Sequence, residues 1–257
     1  MSNLIYTTFR PKDEQYQELI WEWLASLRTL GAYSGEVLVF DYGMPQRMVD
    51  ALRERNVRVE KLPERDCHQI SNYRNIDTID ILDEYKNYRI AHYDADIWFQ
   101  SPVFRMFLDI PSYGMFFAVE RGRSCRFRGA PECQQKHEDN QRFLGGFVFG
   151  GWMAGLHLQY MLFLRTMKDE FLSTRWSVEE WGSDQSLVNF LACPNSDKFD
   201  GLGYAASHYF LTDTNNALLL DGILATAVHL SAFGNWDSIQ HLRFKNRFPR
   251  LYNEFTS

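Results

Sequence analysis

Over its first hundred residues the chain alternates short, β-branched apolar runs with segments whose apolar positions recur at helical spacing. Leu4 to Thr8 reads as a buried strand. From Asp13, the residues Tyr16, Leu19, Ile20, Trp23, Leu24 and Leu27 fall on one helical face that stops before Gly31. Glu36 to Phe40 is a second strand, Asp41-Tyr42-Gly43 a turn, and Pro45 opens a helix through Leu52. Val57 to Leu62 is a third strand, Asn72 to Tyr85 a helix with an Ile76, Ile79, Leu82 stripe, and Tyr88 to Tyr93 a fourth strand. This order predicts an α/β fold with a mostly parallel central sheet and helices on both faces. Ligands of such sheets bind beyond the carboxyl ends of the strands. Thr7-Thr8-Phe9-Arg10, Asp41-Tyr42-Gly43 and Asp94-Ala95-Asp96 all follow a strand and are therefore the first candidates for a site.

The second half is less regular. Met115 to Val119 and Gly146 to Phe149 read as strands, Trp152 to Leu172 as a long helix, Asp184 to Leu191 as a shorter helix and Ala225 to Leu230 as a late strand. Between Glu120 and Arg142 lies a polar stretch with Arg121, Arg123, Arg126 and Arg128. It reads as a long loop, either a cover for a site or a solvated insertion.

Composition narrows the partners. Residues that are 45% hydrophobic and 16% aromatic can bury enough surface to offset the entropy of ordering the chain. A net charge of −6 repels a polyphosphate backbone, so nucleic acid is not an expected partner. No run approaches the roughly 18 apolar residues of a transmembrane segment. Met1-Ser2-Asn3 lacks the basic start of a secretory leader, and a cytoplasmic location is expected. Cys67, Cys125, Cys133 and Cys193 form no C-x-x-C pair, which points to reduced thiols; Cys125, Cys133 and His137 would be an unusual metal set.

The chemistry concentrates at Asp94 and Asp96. Alternate positions of an extended chain point the same way, so both carboxylates can meet one cation, directly or through water. Hard oxygen ligands select Mg²⁺ or Mn²⁺, which can bridge two phosphates and stabilise a leaving nucleotide diphosphate. The plainer alternative is a turn with two exposed acids. Arg74 offers a fork of donors to a phosphate or to Asp94, or is an ordinary surface arginine. His229 lies on an apolar strand where an imidazole needs a partner, either a cation or a core hydrogen bond. Gly145 and Gly146 permit close approach of backbone to a sugar ring, or mark a bulge. Asp184 opens a helix and can serve simply as its N-cap.

The run from Tyr93 to Val103 resembles the Asp-x-Asp segment of GT-A glycosyltransferases, particularly the retaining families 8 and 6. Four further segments follow in matching order. Asn72-Tyr73-Arg74 resembles the Tyr-Arg pair whose arginine faces the donor, and Gly145-Gly146-Phe147-Val148-Phe149-Gly150-Gly151 resembles the glycine-containing strand. Trp181-Gly182-Ser183-Asp184-Gln185 resembles the start of the Asp-Gln and Trp-His-Asp-Glu helices of these families, and Val228-His229-Leu230 resembles the late strand that supplies a third metal ligand.

The resemblance implies one GT-A domain over residues 1–257, with a nucleotide-binding half (1–100) and an acceptor-binding half (101–257) that carries the late metal-ligand strand. It implies an enzyme that moves a hexose from a UDP-sugar to a glycan or other hydroxyl acceptor, with a Mn²⁺ or Mg²⁺ cofactor on Asp94, Asp96 and His229. The donor would also meet Thr7, Thr8, Phe9, Asp41, Arg74, Asp94, Gly145 and Gly146. Asp184 would bind sugar hydroxyls, and Gln185 would lie opposite the leaving phosphate. A neutral amide is a poor nucleophile, which favours front-side attack with retention of configuration. Inversion with Asp184 as general base and a non-catalytic nucleotide-sugar-binding module are the alternatives; a metal phosphohydrolase lacks a second cluster of ligands. The sequence departs from family 8 at Leu144, where asparagine is usual, and at Gly234-Asn235-Trp236, where a Lys-Pro-Trp is usual. Arg243, Lys245 and Arg247 are candidates for the missing phosphate contact, or a solvated basic face.

Overall fold

The structure, a computed structural model, describes residues 1–11, 14–120, 148–173, 184–192, 206–207, 211–214, 217–220, 222–230 and 236–257. Its centre is a six-stranded sheet in the order β3-β2-β1-β4-β7-β6. These strands are β1 (Ser2–Phe9), β2 (Glu36–Asp41), β3 (Arg58–Lys61), β4 (Tyr88–His92), β6 (Met115–Glu120) and β7 (Val148–Leu156). β1 pairs in parallel with β2 and β4, and β2 with β3. β7 runs antiparallel to both β4 and β6, so one strand departs from the parallel pattern.

Because helices cover both faces, the central strands bury their side chains from Leu4 to Phe9, Val37 to Asp41 and Ile90 to His92 and read there as largely apolar runs. Ile5 and Phe9 of β1 and Val37 and Val39 of β2 meet Trp23, Leu24 and Leu27 of helix α1 (Glu14–Arg28) on one face. Leu4, Tyr6, Leu38 and Phe40 point to the other face, against Tyr160, Leu164 and Met167 of the helix His157–Leu172. Each such buried side chain contributes roughly 1.5–3 kcal/mol relative to exposure. Helix α2 spans Gln46–Glu54, one residue after Pro45, as the sequence predicts. Gly43 sits at φ 120°, which explains the glycine in the turn after β2.

Two expectations need correction. The helix expected over Asn72 to Tyr85 instead begins at Cys67 and divides into α3 (Cys67–Asp77) and α4 (Ile79–Leu82). Asp66 and Gln69 form a reciprocal cap that starts α3 upstream of the apolar stripe. The long helix expected from Trp152 starts at His157, and Trp152 to Leu156 belong to β7. The segment Val148–Leu156 carries three glycines, which weaken a helix, and its backbone is paired by strands on both sides. A Cβ at Gly155 would stand 3.0 Å from the carbonyl oxygen of Gly114, so the strand passes that turn at close range.

A second, three-stranded sheet orders β5 (Ile97–Phe99), β9 (Ala227–His229) and β8 (Ala206–Ser207) as β5-β9-β8. Antiparallel pairing sets His229 opposite Ile97 and Val228 opposite Trp98. The late strand thus lies beside the loop after β4. Among the described residues, no helix is long and apolar enough to cross a membrane.

Candidate metal and donor site

Asp94 and Asp96 follow β4 at the carboxyl edge of the main sheet. They meet through a turn rather than through the pleat of an extended chain. The Ile97 amide donates to the Asp94 carbonyl at 3.1 Å, and the Leu230 amide donates to the Asp96 carbonyl at 3.0 Å. That second bond ties β9 to the turn and brings His229 Nε2 to 3.4 Å from Asp96 Oδ2. One ligand atom from each of Asp94, Asp96 and His229 lies within 4.8 Å of the others.

The three residues fit a divalent cation. Asp96 Oδ1 is buried and has no hydrogen-bond partner among the described residues, an arrangement that is costly for an ionised oxygen and that a cation would relieve. Asp94 is held from several sides. Arg74 Nη1 donates to its Oδ1, and the indole Nε1 of Trp152 donates to its Oδ2 at 3.1 Å. His92 Nε2 lies 3.8 Å from Oδ1. Burial raises the Asp94 carboxyl, but the Arg74 guanidinium, the imidazoles of His92 and His229 and the Trp152 bond overcome that and hold it at about 2. Asp94 is thus a carboxylate at neutral pH, as a ligand must be.

A cleft of about 220 Å³ opens beside the acids. Thr8, Phe9 and Arg10 from the end of β1, Tyr16 from α1, and Ile70 and Arg74 from α3 line it with Asp94 and Asp96. The α3 wall is braced from behind, because Arg65 forms two 2.6 Å bonds to Asp77 and lies 3.7 Å over the Tyr73 ring. Arg10 reaches the same region, donating to the Arg65 carbonyl at 2.5 Å.

Sequence-predicted residues distribute as follows. Thr8, Phe9, Arg74, Asp94 and Asp96 line the cleft, and His229 joins the acids. Thr7 is fully buried in the sheet and does not line it. Asp41 is buried and turned on its own loop, where Oδ1 accepts from the amides of Gly43 at 2.7 Å and Met44 at 2.5 Å. The helix Asp184–Ala192 begins at Asp184 as expected, with Gln185 half-buried and Leu187 and Val188 in the core. Gly145, Gly146, the arginine-rich stretch, Cys125, Cys133 and His137 lie outside the described residues.

The basic residues proposed for a phosphate contact are committed elsewhere. Arg243 is 1% exposed and bonds Glu22, Lys245 bonds Glu18 at 2.6 Å, and Arg247 bonds Asp213 at 2.9 Å. They fasten the carboxyl-terminal helices instead of facing the cleft. Sequence reasoning missed Trp152 and His92, which both approach Asp94. The glycine pair ahead of Trp152 marked a strand and was the available signal for the first; His92 lies two residues before Asp94 on β4 and carried none beyond proximity.

No family model matches the chain, and no curated protein matches it. Solved structures do. Mouse xyloside xylosyltransferase 1, in its apo form, aligns at TM-score 0.50 and 10% identity over 90% of this chain and 98% of that one. The galactosyltransferase LgtC, in complex with donor and acceptor sugar analogues, aligns at TM-score 0.56 and 12% identity over 99% of this chain and 96% of that one. Both are GT-A glycosyltransferases, and at these identities the likeness is one of architecture. The mostly parallel central sheet with helices on both faces is the fold that this chain shares with these glycosyltransferases.

Proposed function

We propose that the chain is a metal-dependent glycosyltransferase that moves a hexose from a UDP-sugar to a hydroxyl of a glycan or other acceptor, with retention of anomeric configuration. The observation that carries this reading is the meeting of Asp94, Asp96 and His229 at the sheet edge, next to a cleft walled by Arg74. Two carboxylates and an imidazole suit Mn²⁺ or Mg²⁺, which when bound neutralises the departing pyrophosphate. Sugar donor and acceptor come to this chain by likeness to LgtC, solved with analogues of both.

Within that reading, the chain's own residues divide the work. Asp94, fixed as a carboxylate, and Asp96 grip the cation, with His229 closing the set. Arg74 keeps Asp94 oriented and adds positive charge to the cleft that receives the phosphates. Thr8 and Phe9 stand where a base or ribose would enter, at the end of β1. Asp184 binds hydroxyls of the sugar, and Gly145 and Gly146 let backbone approach it. Gln185 lies on the face of the anomeric carbon away from the phosphate, where a neutral amide leaves front-side attack as the open route.

A thermal-shift screen of nucleotide-sugars with and without Mn²⁺, followed by a donor-hydrolysis assay, tests this. A UDP-hexose should raise the melting temperature in the presence of Mn²⁺, and turnover should need the cation. Binding without turnover on any acceptor would leave a nucleotide-sugar-binding module in its place. Proton NMR of the product decides the stereochemistry, and an inverted anomeric centre, with Asp184→Asn losing rate but not donor affinity, would move the assignment to Asp184 as base.

A further inference from the structure

β7 sends Trp152 into the core beneath the acidic turn, where the residue is 3% exposed. Two of its contacts go to the proposed ligands. The indole Nε1 donates to Asp94 Oδ2 at 3.1 Å, and the indole ring meets the His229 imidazole edge to face, with centroids 4.6 Å apart and planes at 75°. Asp94 and His229 come from distant parts of the chain, and one side chain touches both.

An indole is a donor only, so Trp152 cannot take a cation itself. What it can do is fix two groups that can. With Arg74 on Oδ1 and Trp152 on Oδ2, the Asp94 carboxylate has little freedom to rotate about its bond to Cβ. The edge-to-face contact sets the tilt of the imidazole whose Nε2 looks toward Asp96. Resting on the reading of Asp94, Asp96 and His229 as a cation site, we propose that Trp152 is a positioning residue for that cation: its N–H holds Asp94 and its ring holds His229, so β7 sets the geometry of ligands supplied by other strands. Partners that hold ligands from behind typically account for about 10–100-fold in metal affinity.

The test compares Mn²⁺ binding by calorimetry in the wild-type chain and in Trp152→Phe, which keeps a ring against His229 and deletes the N–H. Mn²⁺ should bind the variant about 10–100-fold more weakly. The metal-free melting temperature, measured alongside, reports loss of packing separately. Mn²⁺ should also quench a component of the wild-type tryptophan emission that the variant lacks, which reports an ion bound beside Trp152; weakened Mn²⁺ binding at an unchanged metal-free melting temperature is the result a merely structural residue would not give. If the wild-type chain binds no Mn²⁺, the cation reading fails. If wild type and variant bind it equally, the positioning role is overturned and the cation reading stands. Should Trp152→Phe not fold, benzothienylalanine at position 152 replaces the N–H by sulfur at nearly constant shape; undiminished Mn²⁺ affinity there overturns the role of the N–H bond.

Discussion

His229 Nε2 lies 3.4 Å from Asp96 Oδ2, while the other oxygen of Asp96 is buried with no hydrogen-bond partner among the described residues. This pairing engages one half of a carboxylate and leaves the other half buried without a protein partner among the described residues. Until a cation enters, the partnerless oxygen of Asp96 beside the negative charge of Asp94 opposes folding.

Asp96→Asn should therefore separate stability from binding. Removing one of two neighbouring charges is expected to stabilise the metal-free protein by about 1 kcal/mol, the order of the repulsion between like charges about 4 Å apart in a water-like dielectric. For a chain of this size this amounts to a rise of roughly 2–4 °C in melting temperature. The same variant should lose the Mn²⁺-dependent increase expected of the wild type. A lower metal-free melting temperature would mean that the His229 contact outweighs the charge repulsion.

Acid stability of the metal-free protein should report the grip on Asp94. Its carboxyl sits at about 2 in the folded chain, below the ~3.9 of an unfolded aspartate, so the unfolded state takes up the proton first as pH falls. The contribution is present above about pH 4 and fades toward pH 2, and a shift near two units is worth roughly 2–3 kcal/mol. Urea unfolding in chelator, at pH 6 and pH 3, should show the stability difference between wild type and Asp94→Asn shrinking in acid. A constant difference would mean that Arg74, His92 and Trp152 do not hold the ionised form.

The first four strands and the first two helices were legible because both sheet faces are covered and the apolar periods are unbroken, as in Val37 to Phe40 and Tyr16 to Leu27. The acids were legible because a pair of charges ending an apolar strand has few structural explanations. Asp41 caps its own turn, a contact that strand-end position cannot distinguish from a ligand contact. Trp152 was hidden by its company. Trp152, Met153 and Leu156 match a helical stripe continuing into Tyr160, and only pairing with β4 and β6 overrides that local pattern.

That override makes Gly155 informative. In a helix, Gly155→Ala would stabilise by about 1 kcal/mol through propensity alone. In β7 the added Cβ meets the Gly114 carbonyl at 3.0 Å and Met115 at 3.2 Å, so no gain is expected. Gly155→Val, with two more carbons to place, should destabilise by about 1–3 kcal/mol. Chemical denaturation of the two variants measures both effects, and a stabilising alanine would argue against the close passage of strand and turn.

Arg243 and Glu22 join the carboxyl-terminal helices to α1 with side chains 1% and 3% exposed. Burial raises the Glu22 carboxyl, and the charge and hydrogen bond of Arg243, aided by Lys245, pull it back. Arg243→Met removes the main counter-charge and leaves the acid buried, a change that typically costs about 3–5 kcal/mol at neutral pH. A carboxyl raised in the folded state binds more protons there than in the unfolded chain, so stability falls as pH rises through its folded value and recovers below it. The loss in Arg243→Met should accordingly be larger at pH 8 than at pH 5. Adding Glu22→Gln to Arg243→Met should restore part of the neutral-pH stability and flatten the pH dependence. If the double variant is no more stable than the single at pH 8, the buried charge of Glu22 is not what the loss of Arg243 exposes.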